Sequence, residues 1–276
     1  LDASRSHRSD MAPIKVAVAG ATGRMGQEVV KLIQREENLT LVGATARSKV
    51  GQDVGEVIRI GRVEVPLTDS LDDVLAQGPD VLVDFTTPDL VYENTEKAIS
   101  YGVRPVVGTT GLTEKEIQEL DSRCQEAGIG GIIAPNFAIG AVLMMVFTAK
   151  AARYMPHLEI IEMHHDRKLD APSGTALKTA ELISQERQEL KQGHPEEKET
   201  LEGARGGYKD GYRVHSVRLP GLVAHQEVLF SDAGQLLTIR HDSLHRESFM
   251  PGVKLAIEDV MSRRGLVYGL EKILDL

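Results

Sequence analysis

The chain has 276 residues and a formal net charge of −9, which argues against a general nucleic-acid binder but leaves room for a local basic pocket. Hydrophobic residues make up 41% and charged residues 26%, the balance of an ordinary soluble protein long enough for one or two domains, and no apolar run nears the roughly 18 residues that span a membrane. Cys124 is the only cysteine, which excludes an intrachain disulfide and a multi-cysteine metal centre and suits a reducing, cytoplasmic compartment.

Residues Leu1 to Asp10 are polar, precede Met11 and lack the apolar core of a signal peptide. They read as a cloning remnant outside the fold. Ile14–Ala19 (Ile-Lys-Val-Ala-Val-Ala) is a β-branched run that predicts a buried strand. It leads into Gly20-Ala21-Thr22-Gly23-Arg24-Met25-Gly26, after which Val29, Val30, Leu32 and Ile33 recur at helical spacing. Strand, glycine turn and helix together form the opening of a dinucleotide-binding unit. Gly20 permits a tight turn, Gly23 lets backbone approach a pyrophosphate, and Gly26 allows close helix–strand packing. The helix start then offers N–H groups and partial positive charge to the phosphates. The spacing is GxxGxxG rather than the commoner GxGxxG, and a purely structural turn is the alternative.

The second predicted strand, Leu39 to Ala46, ends in Arg47-Ser48-Lys49. An NAD-selective fold usually places an acid here for the ribose 2′-hydroxyl. Arg47 and Lys49 would instead attract a 2′-phosphate, and Arg47 can grip one bidentately. The expectation is NADPH, with NADH possible and solvated loop cations the alternative.

Strand–helix alternation continues. Val81 to Thr86 is a strand, followed by a helix through about Ser100. Arg104 to Val107 is another strand and ends in Gly108-Thr109-Thr110-Gly111. Thr113 and Glu116 form a capping box for a helix through Ala127. Ile129 to Ala134 is a strand ending in Pro135-Asn136-Phe137. In a parallel sheet such strand ends gather along one edge, where cofactors bind. Cys124 lies inside the Thr113–Ala127 helix with no histidine close by, so it is read as packing rather than as a thiol nucleophile.

Ala138 to Tyr154 is a long apolar helix stopped by Pro156. Leu158 to His164 is extended, with Ile160 and Glu162 facing one way and Ile161 and Met163 the other. The segment Glu162 to Ala176 carries His164, His165, Arg167, Lys168 and a Pro172-Ser173-Gly174-Thr175 run. Adjacent histidines on a strand point to opposite sides and make poor partners for one metal, so no metal is assigned. Ser173 can cap a helix starting at Gly174, whose free N–H groups seat a carboxylate or phosphate. His164 is a reasonable proton shuttle, and Lys168 offers a charged donor to a developing anion. A basic, solvated loop before a helix is the bland alternative.

Gln185 to Gly211 is charged and loop-rich. Arg213–Leu219, Leu222–Phe230 and Gln235–Ile239 read as sequential hairpin strands of an open, largely antiparallel sheet, an invitation to pair with copies of itself. The final helix, about Phe249 to Arg263, and the tail to Leu276 return to the first domain. The expected architecture is α/β: a Rossmann-type, mostly parallel sheet with helices on both faces (11–137 and 249–276), plus an α+β substrate and oligomerisation domain with an open mixed sheet (138–248).

Five stretches resemble one family. They are Gly-Ala-Thr-Gly-Arg-Met-Gly at 20–26, Asp-Phe-Thr at 84–86, Gly-Thr-Thr-Gly at 108–111, Ala-Pro-Asn-Phe at 134–137 and Glu-x-His-His-x-x-Lys-x-Asp-Ala-Pro-Ser-Gly-Thr-Ala at 162–176. The family is dihydrodipicolinate reductase, and the likeness runs from Met11 to Leu276, including a Leu-Asp-Leu ending. The resemblance implies NAD(P)H-dependent reduction of a small cyclic dicarboxylate, the dihydrodipicolinate precursor, on the diaminopimelate route to lysine. By motif match His164 is the catalytic acid/base and Lys168 the proton donor, while His165, Gly174 and Thr175 bind substrate carboxylates. Gly20 to Met25, Gly108 to Thr110 and Ala134 to Phe137 would contact the dinucleotide. Arg47 departs from many members, which carry an acid there, and this strengthens the NADPH expectation. The resemblance also implies a cytoplasmic homotetramer whose substrate domain closes over the cofactor, with no nucleic-acid or membrane partner. A reductase of another small dicarboxylate and a non-catalytic dinucleotide sensor are the alternatives.

Overall fold

A computed structural model describes residues 12–276; the remnant assigned to Leu1–Asp10 lies outside the described residues. The chain runs β1 (Ile14–Ala19), α1 (Arg24–Arg35), β2 (Leu39–Thr45), α2 (Val54–Val57), β3 (Leu67–Thr68), α3 (Leu71–Ala76), β4 (Val81–Asp84), α4 (Val91–Ser100), β5 (Arg104–Val107), α5 (Glu114–Ala127) and β6 (Gly130–Ile133). It continues through α6 (Ile139–Tyr154), β7 (Leu158–His164), α7 (Gly174–Glu186), β8 (Gly207–Lys209), β9 (Tyr212–Arg218), β10 (Ala224–Asp232) and β11 (Gln235–Ser243). It ends with α8 (Met250–Val260) and β12 (Gly265–Tyr268). These elements divide into two compact units, one up to Phe137 and from Phe249 to Leu276, the other from Ala138 to Ser248.

The first unit is a seven-stranded sheet in the order β12-β6-β5-β4-β1-β2-β3, parallel throughout. α1 and α8 pack together on one face, and α3, α4 and α5 follow one another over the other. Such burial on both faces is why the strands read as unbroken apolar runs: Val16, Ala17, Val18, Val81, Val83, Val106 and Val107 are fully buried. α1 buries Val29, Val30, Leu32 and Ile33, each stabilising the unit by about 1.5–3 kcal/mol relative to exposure. α5 begins with the reciprocal Thr113–Glu116 capping box and ends on Gly128, whose φ of 69° is left-handed. Cys124 is wholly buried among Leu120, Ile129 and Ile133. Burial, reinforced by Asp121, pushes its thiol up to about 12, so it is an apolar side chain rather than a nucleophile.

In the second unit the sheet order is β11-β10-β7-β9-β8, with β7 and β9 parallel and the other pairs antiparallel. This corrects the expectation of sequential hairpins. β10 and β11 do form one, around Ala233-Gly234, but β9 and β10 never pair because β7 lies between them. β7 is the most apolar strand, with Leu158 and Ile160 buried, and the central position covers it on both edges. The link from Arg218 to Ala224 has to step over a full strand, about 10 Å, and it does so at the end of β7. Both of those residues register with His164, and the Leu219 N–H donates to the His164 carbonyl at 3.1 Å.

The charged stretch after α7 is better anchored than its composition suggests. The Arg187 guanidinium donates to the carbonyls of Pro156 (2.6 Å) and Asp210 (2.9 Å) and stacks on Tyr212. The Gln192 amide bonds both the N–H and the carbonyl of Leu158, imitating a strand partner. Among the described residues no helix is long and apolar enough to cross a membrane.

Candidate active site

In the first unit the last residues of five neighbouring strands stand in one row. Thr45 registers with Ala19, Ala19 with Asp84, Asp84 with Val107 and Val107 with Ile133. The segments that follow, starting at Ala46, Gly20, Phe85, Gly108 and Ala134, therefore emerge side by side along the carboxyl edge. Here the glycine turn fits a dinucleotide. Gly20 has φ +79°, and a Cβ on Gly26 would lie 1.8 Å from the Gly20 carbonyl oxygen, so α1 can start only against a bare backbone. Gly23 caps α1 without a side-chain bond and no acid occupies the first turn. The N–H groups of Arg24, Met25 and Gly26 have no acceptor among the described residues, which leaves them to an anion.

Gly20, Thr22, Gly23, Arg47, Ser48 and Thr87 line a cavity of about 820 Å³. The Arg47 Nη2 donates to Thr87 Oγ1 at 3.3 Å, tying the end of β2 to the end of β4. Asp69 and Glu93 also line the cavity, an acidic component that sequence reading missed. Lys49, expected to assist Arg47, takes a left-handed φ of 58° and is not in the lining. Ala21 is fully buried, Arg24 is exposed and Met25 is half-buried. Thr109, Thr110 and Pro135 line a second, smaller cleft with Tyr268 of β12, a residue no local motif announced. Gly108 sits against the Phe85 ring, and Phe85 meets Phe137 edge-on with centroids 5.9 Å apart. Ala134 and Phe137 are buried, and Asn136 is half-buried beside them.

In the second unit the two-residue period of β7 places Leu158, Ile160 and Glu162 on its buried face, and His164 continues that face. The wholly buried Glu162 carboxylate lies 2.5 Å from His164 Nδ1. Arg218 grips the carboxylate bidentately, Nη1 to Oε2 at 2.9 Å and Nη2 to Oε1 at 2.8 Å. The Ser173 N–H adds a third approach to Oε1 at 3.2 Å. Burial pushes the Glu162 carboxyl up, but the hydrogen bonds from Arg218, Ser216 and His164 outweigh it and hold it below the usual carboxylate range. Burial is also the largest influence on His164 and pushes it down. Glu162 opposes this, Lys168 and Arg218 reinforce it, and the net direction is down, so the imidazole is neutral at neutral pH.

Lys168 pairs with Asp170 at 2.9 Å, a partner that sequence reading did not assign. His165 is half-buried just past the strand, and its Nδ1 is buried without a hydrogen-bond partner among the described residues. Ser173 caps α7 by accepting from the Ala176 N–H at 3.2 Å. The Gly174 and Thr175 N–H groups have no acceptor among the described residues. A Cβ added at Gly174 would meet nothing within 4 Å, so no neighbouring protein atom requires a glycine there. Glu162 and Arg218 were the residues missed. The Glu-x-His spacing on a strand was a usable signal for Glu162, whereas Arg218, 56 residues away, had none.

A family described as dihydrodipicolinate reductase matches in both its parts, the N-terminus over residues 14–137 and the C-terminus over residues 140–274. The chain belongs to the dihydrodipicolinate reductase family. It is 57% identical to the 4-hydroxy-tetrahydrodipicolinate reductase of Bacillus pumilus (strain SAFR-032), over 95% of this chain and 98% of that one. It is 56% identical to the enzyme of the same name from Bacillus subtilis (strain 168), with the same shares covered. A solved structure, dipicolinate-bound dihydrodipicolinate reductase from Paenisporosarcina sp. TG-14, superposes with a TM-score of 0.88 at 52% identity, covering 95% of this chain and 100% of that one. An amine dehydrogenase from Mycobacterium smegmatis, at 17% identity and a TM-score of 0.67, shares the fold alone. The reaction of the dihydrodipicolinate reductase family is an NAD(P)H-dependent reduction on the diaminopimelate route to lysine, and it is the reaction of this chain.

Proposed function

We propose that this reductase prefers NADPH, binds it on the glycine-turn edge of the first unit, and handles its dicarboxylate substrate at the start of α7. What supports the second point most is the first turn of that helix: two N–H groups, at Gly174 and Thr175, without an acceptor among the described residues, open space at Gly174, and His164 and Lys168 close by in sequence. A carboxylate there gains peptide hydrogen bonds and the positive end of the helix dipole. His165, whose Nδ1 lacks a partner among the described residues, takes part in holding the substrate.

The residues Gly20 to Met25, Arg47, Gly108 to Thr110 and Ala134 to Phe137 hold the dinucleotide. Arg47 faces its 2′-phosphate. The bound dinucleotide supplies a hydride, and the chain manages the protons. Lys168, released from Asp170 when the substrate arrives, donates to the leaving or developing anion. His164 exchanges a proton at its imidazole as the substrate's bonding changes. The dicarboxylate neutralises part of the local cationic charge, which otherwise opposes an imidazolium.

The protein works as a cytoplasmic homotetramer. β11 is an edge strand with Leu236 66% and Leu237 40% exposed, an apolar edge that copies of the chain can cover. A coupled assay with freshly generated dihydrodipicolinate precursor, following oxidation of NADPH against NADH, tests the reading. His164→Gln should lower turnover by roughly 10²–10⁴ with little change in dinucleotide affinity. Turnover close to wild type would remove His164 from its role, and a monomer in sedimentation would remove the tetramer.

A further inference from the structure

We propose that Glu162 is a positioning residue for His164: its buried carboxylate, clamped by Arg218, keeps the proton of the neutral imidazole on Nδ1 and leaves Nε2 as the nitrogen that exchanges protons. The inference deepens the acid–base role proposed for His164 and rests on it.

An ionised carboxylate can only accept hydrogen bonds. At the 2.5 Å separation between Glu162 Oε2 and His164 Nδ1, the proton between them therefore belongs to nitrogen. The competing arrangement, a protonated Glu162 donating to a bare Nδ1, requires the carboxyl to be neutral. Arg218 prevents that: it places two guanidinium N–H groups on the same two oxygens, and a guanidinium does not give up its proton in a protein. The Ser173 N–H on Oε1 is equally irremovable. Glu162 is thus surrounded by fixed donors, and His164 is the one neighbour whose protonation is adjustable. With Nδ1 committed, Nε2 carries the lone pair, and among the described residues no protein group hydrogen-bonds to it.

The charges around the ring point the same way. Lys168 and Asp170 lie in the loop after β7, and Arg218 ends β9; His165 follows on the same chain. The β10 register partner is the uncharged Ala224, and Ser173, the N-cap of α7, reaches Glu162 with a neutral N–H. Of these, Glu162 alone is an anion in contact with the ring. When Nε2 takes up a proton, the carboxylate stabilises the resulting imidazolium against Lys168 and Arg218. A purely structural Glu162, serving only to hold Arg218 and the start of α7, would predict no such coupling to the titration of His164.

Side-chain ¹⁵N NMR of the full chain with labelled histidine, assigned against the H164Q spectrum, reads the tautomer directly. Near neutral pH the His164 signals should be pyrrole-type at Nδ1 and pyridine-type at Nε2, and the opposite pattern overturns the proposal. E162Q should reduce kcat by roughly 100-fold, leave KM for the dicarboxylate within about threefold, and move the His164-dependent limb of the pH–rate profile to lower pH. Because E162Q leaves a buried guanidinium unpaired, E162Q/R218M serves as the second variant and should lose kcat to a similar degree. Wild-type kcat and an unmoved pH limb in whichever variant is folded overturn the proposal. If H164Q is inactive while E162Q is normal, the positioning role alone falls. If H164Q itself keeps full turnover, the acid–base reading falls and this one with it.

Discussion

Thr109 Oγ1 donates to Asp84 Oδ1 at 3.0 Å and accepts from the Thr86 N–H at 2.9 Å, so one hydroxyl joins the segments that leave β4 and β5. The Asp84 carboxylate, 1% exposed, also accepts from the Thr86 N–H and Oγ1 and from Asn94 Nδ2. All its donors are neutral; three of these bonds go to Oδ1 and the Asn94 bond goes to Oδ2, so both oxygens serve as acceptors. Asp84→Asn would turn an amide N–H₂ towards groups that donate. It should destabilise the protein by about 1–3 kcal/mol and raise KM for the dinucleotide more than KM for the dicarboxylate. Urea unfolding and initial rates check both parts, and equal changes in the two KM values would count against a loop-positioning role.

The proposed reading puts Arg47 against the 2′-phosphate of NADPH, and a charge reversal tests it. Arg47→Glu replaces an attraction for the 2′-phosphate with a repulsion and should lower kcat/KM for NADPH relative to NADH by about 10- to 100-fold, the equivalent of one lost charge-assisted hydrogen bond. The residue is exposed, so stability should stay within about 0.5 kcal/mol. An unchanged ratio of the two kcat/KM values would sink the assignment.

A substitution at Gly174 distinguishes a substrate role from a scaffold role. An alanine Cβ there meets no protein atom within 4 Å, and alanine is the better helix former by about 1 kcal/mol. Gly174→Ala should therefore leave the melting temperature unchanged or slightly raised. If the first turn of α7 seats a carboxylate, the methyl group obstructs it, and KM for the dicarboxylate should rise about tenfold, a loss of about 1.4 kcal/mol. A variant with unaltered KM would place the carboxylates elsewhere.

Acid should destabilise the protein in two stages. His164 and His241 are pushed below their ordinary value of 6.5, chiefly by burial. The folded state therefore resists protons that the unfolded chain accepts, and stability begins to fall as pH drops below about 6.5. Glu159 and Glu162 are held below 4.5 because Arg205 and Arg218 overcome the effect of burial. Asp242, bonded by Arg240 and His225, is held at about 2. The stability these carboxylates contribute is present above their unfolded values and is lost as pH falls through the folded ones. Denaturant midpoints measured from about pH 8 to pH 3 should show both declines, and His241→Asn should flatten the first. A flat midpoint between about pH 7 and pH 5 in the wild type would refute the histidine stage.

Much of the fold is legible in the sequence, and the reason is locality. The strand, glycine turn and helix at 14–35 follow from neighbouring residues: β-branched runs favour strands, bare backbone permits the turn, and apolar side chains three and four apart define a helix face. The Thr113–Glu116 capping box and the Ser173 cap are three-residue relationships that sequence spacing states outright. Even the shared face of Glu162 and His164 follows from the two-residue period of a strand.

What spacing could not state is who meets whom across the fold. β7 comes to lie between β9 and β10 because a central position buries an apolar strand on both edges, a competition settled only when all five strands are present. That same placement delivers Arg218 to Glu162 across 56 residues, and with it the charge that keeps the carboxylate ionised. Tyr268 in the Thr109 cleft and Asp84 beneath Thr109 were decided in the same way. Sequence alone determined the elements, their caps and the chemistry-bearing motif. Tertiary structure decided the partners, because hydrogen bonds and ion pairs act over a few ångströms regardless of separation along the chain.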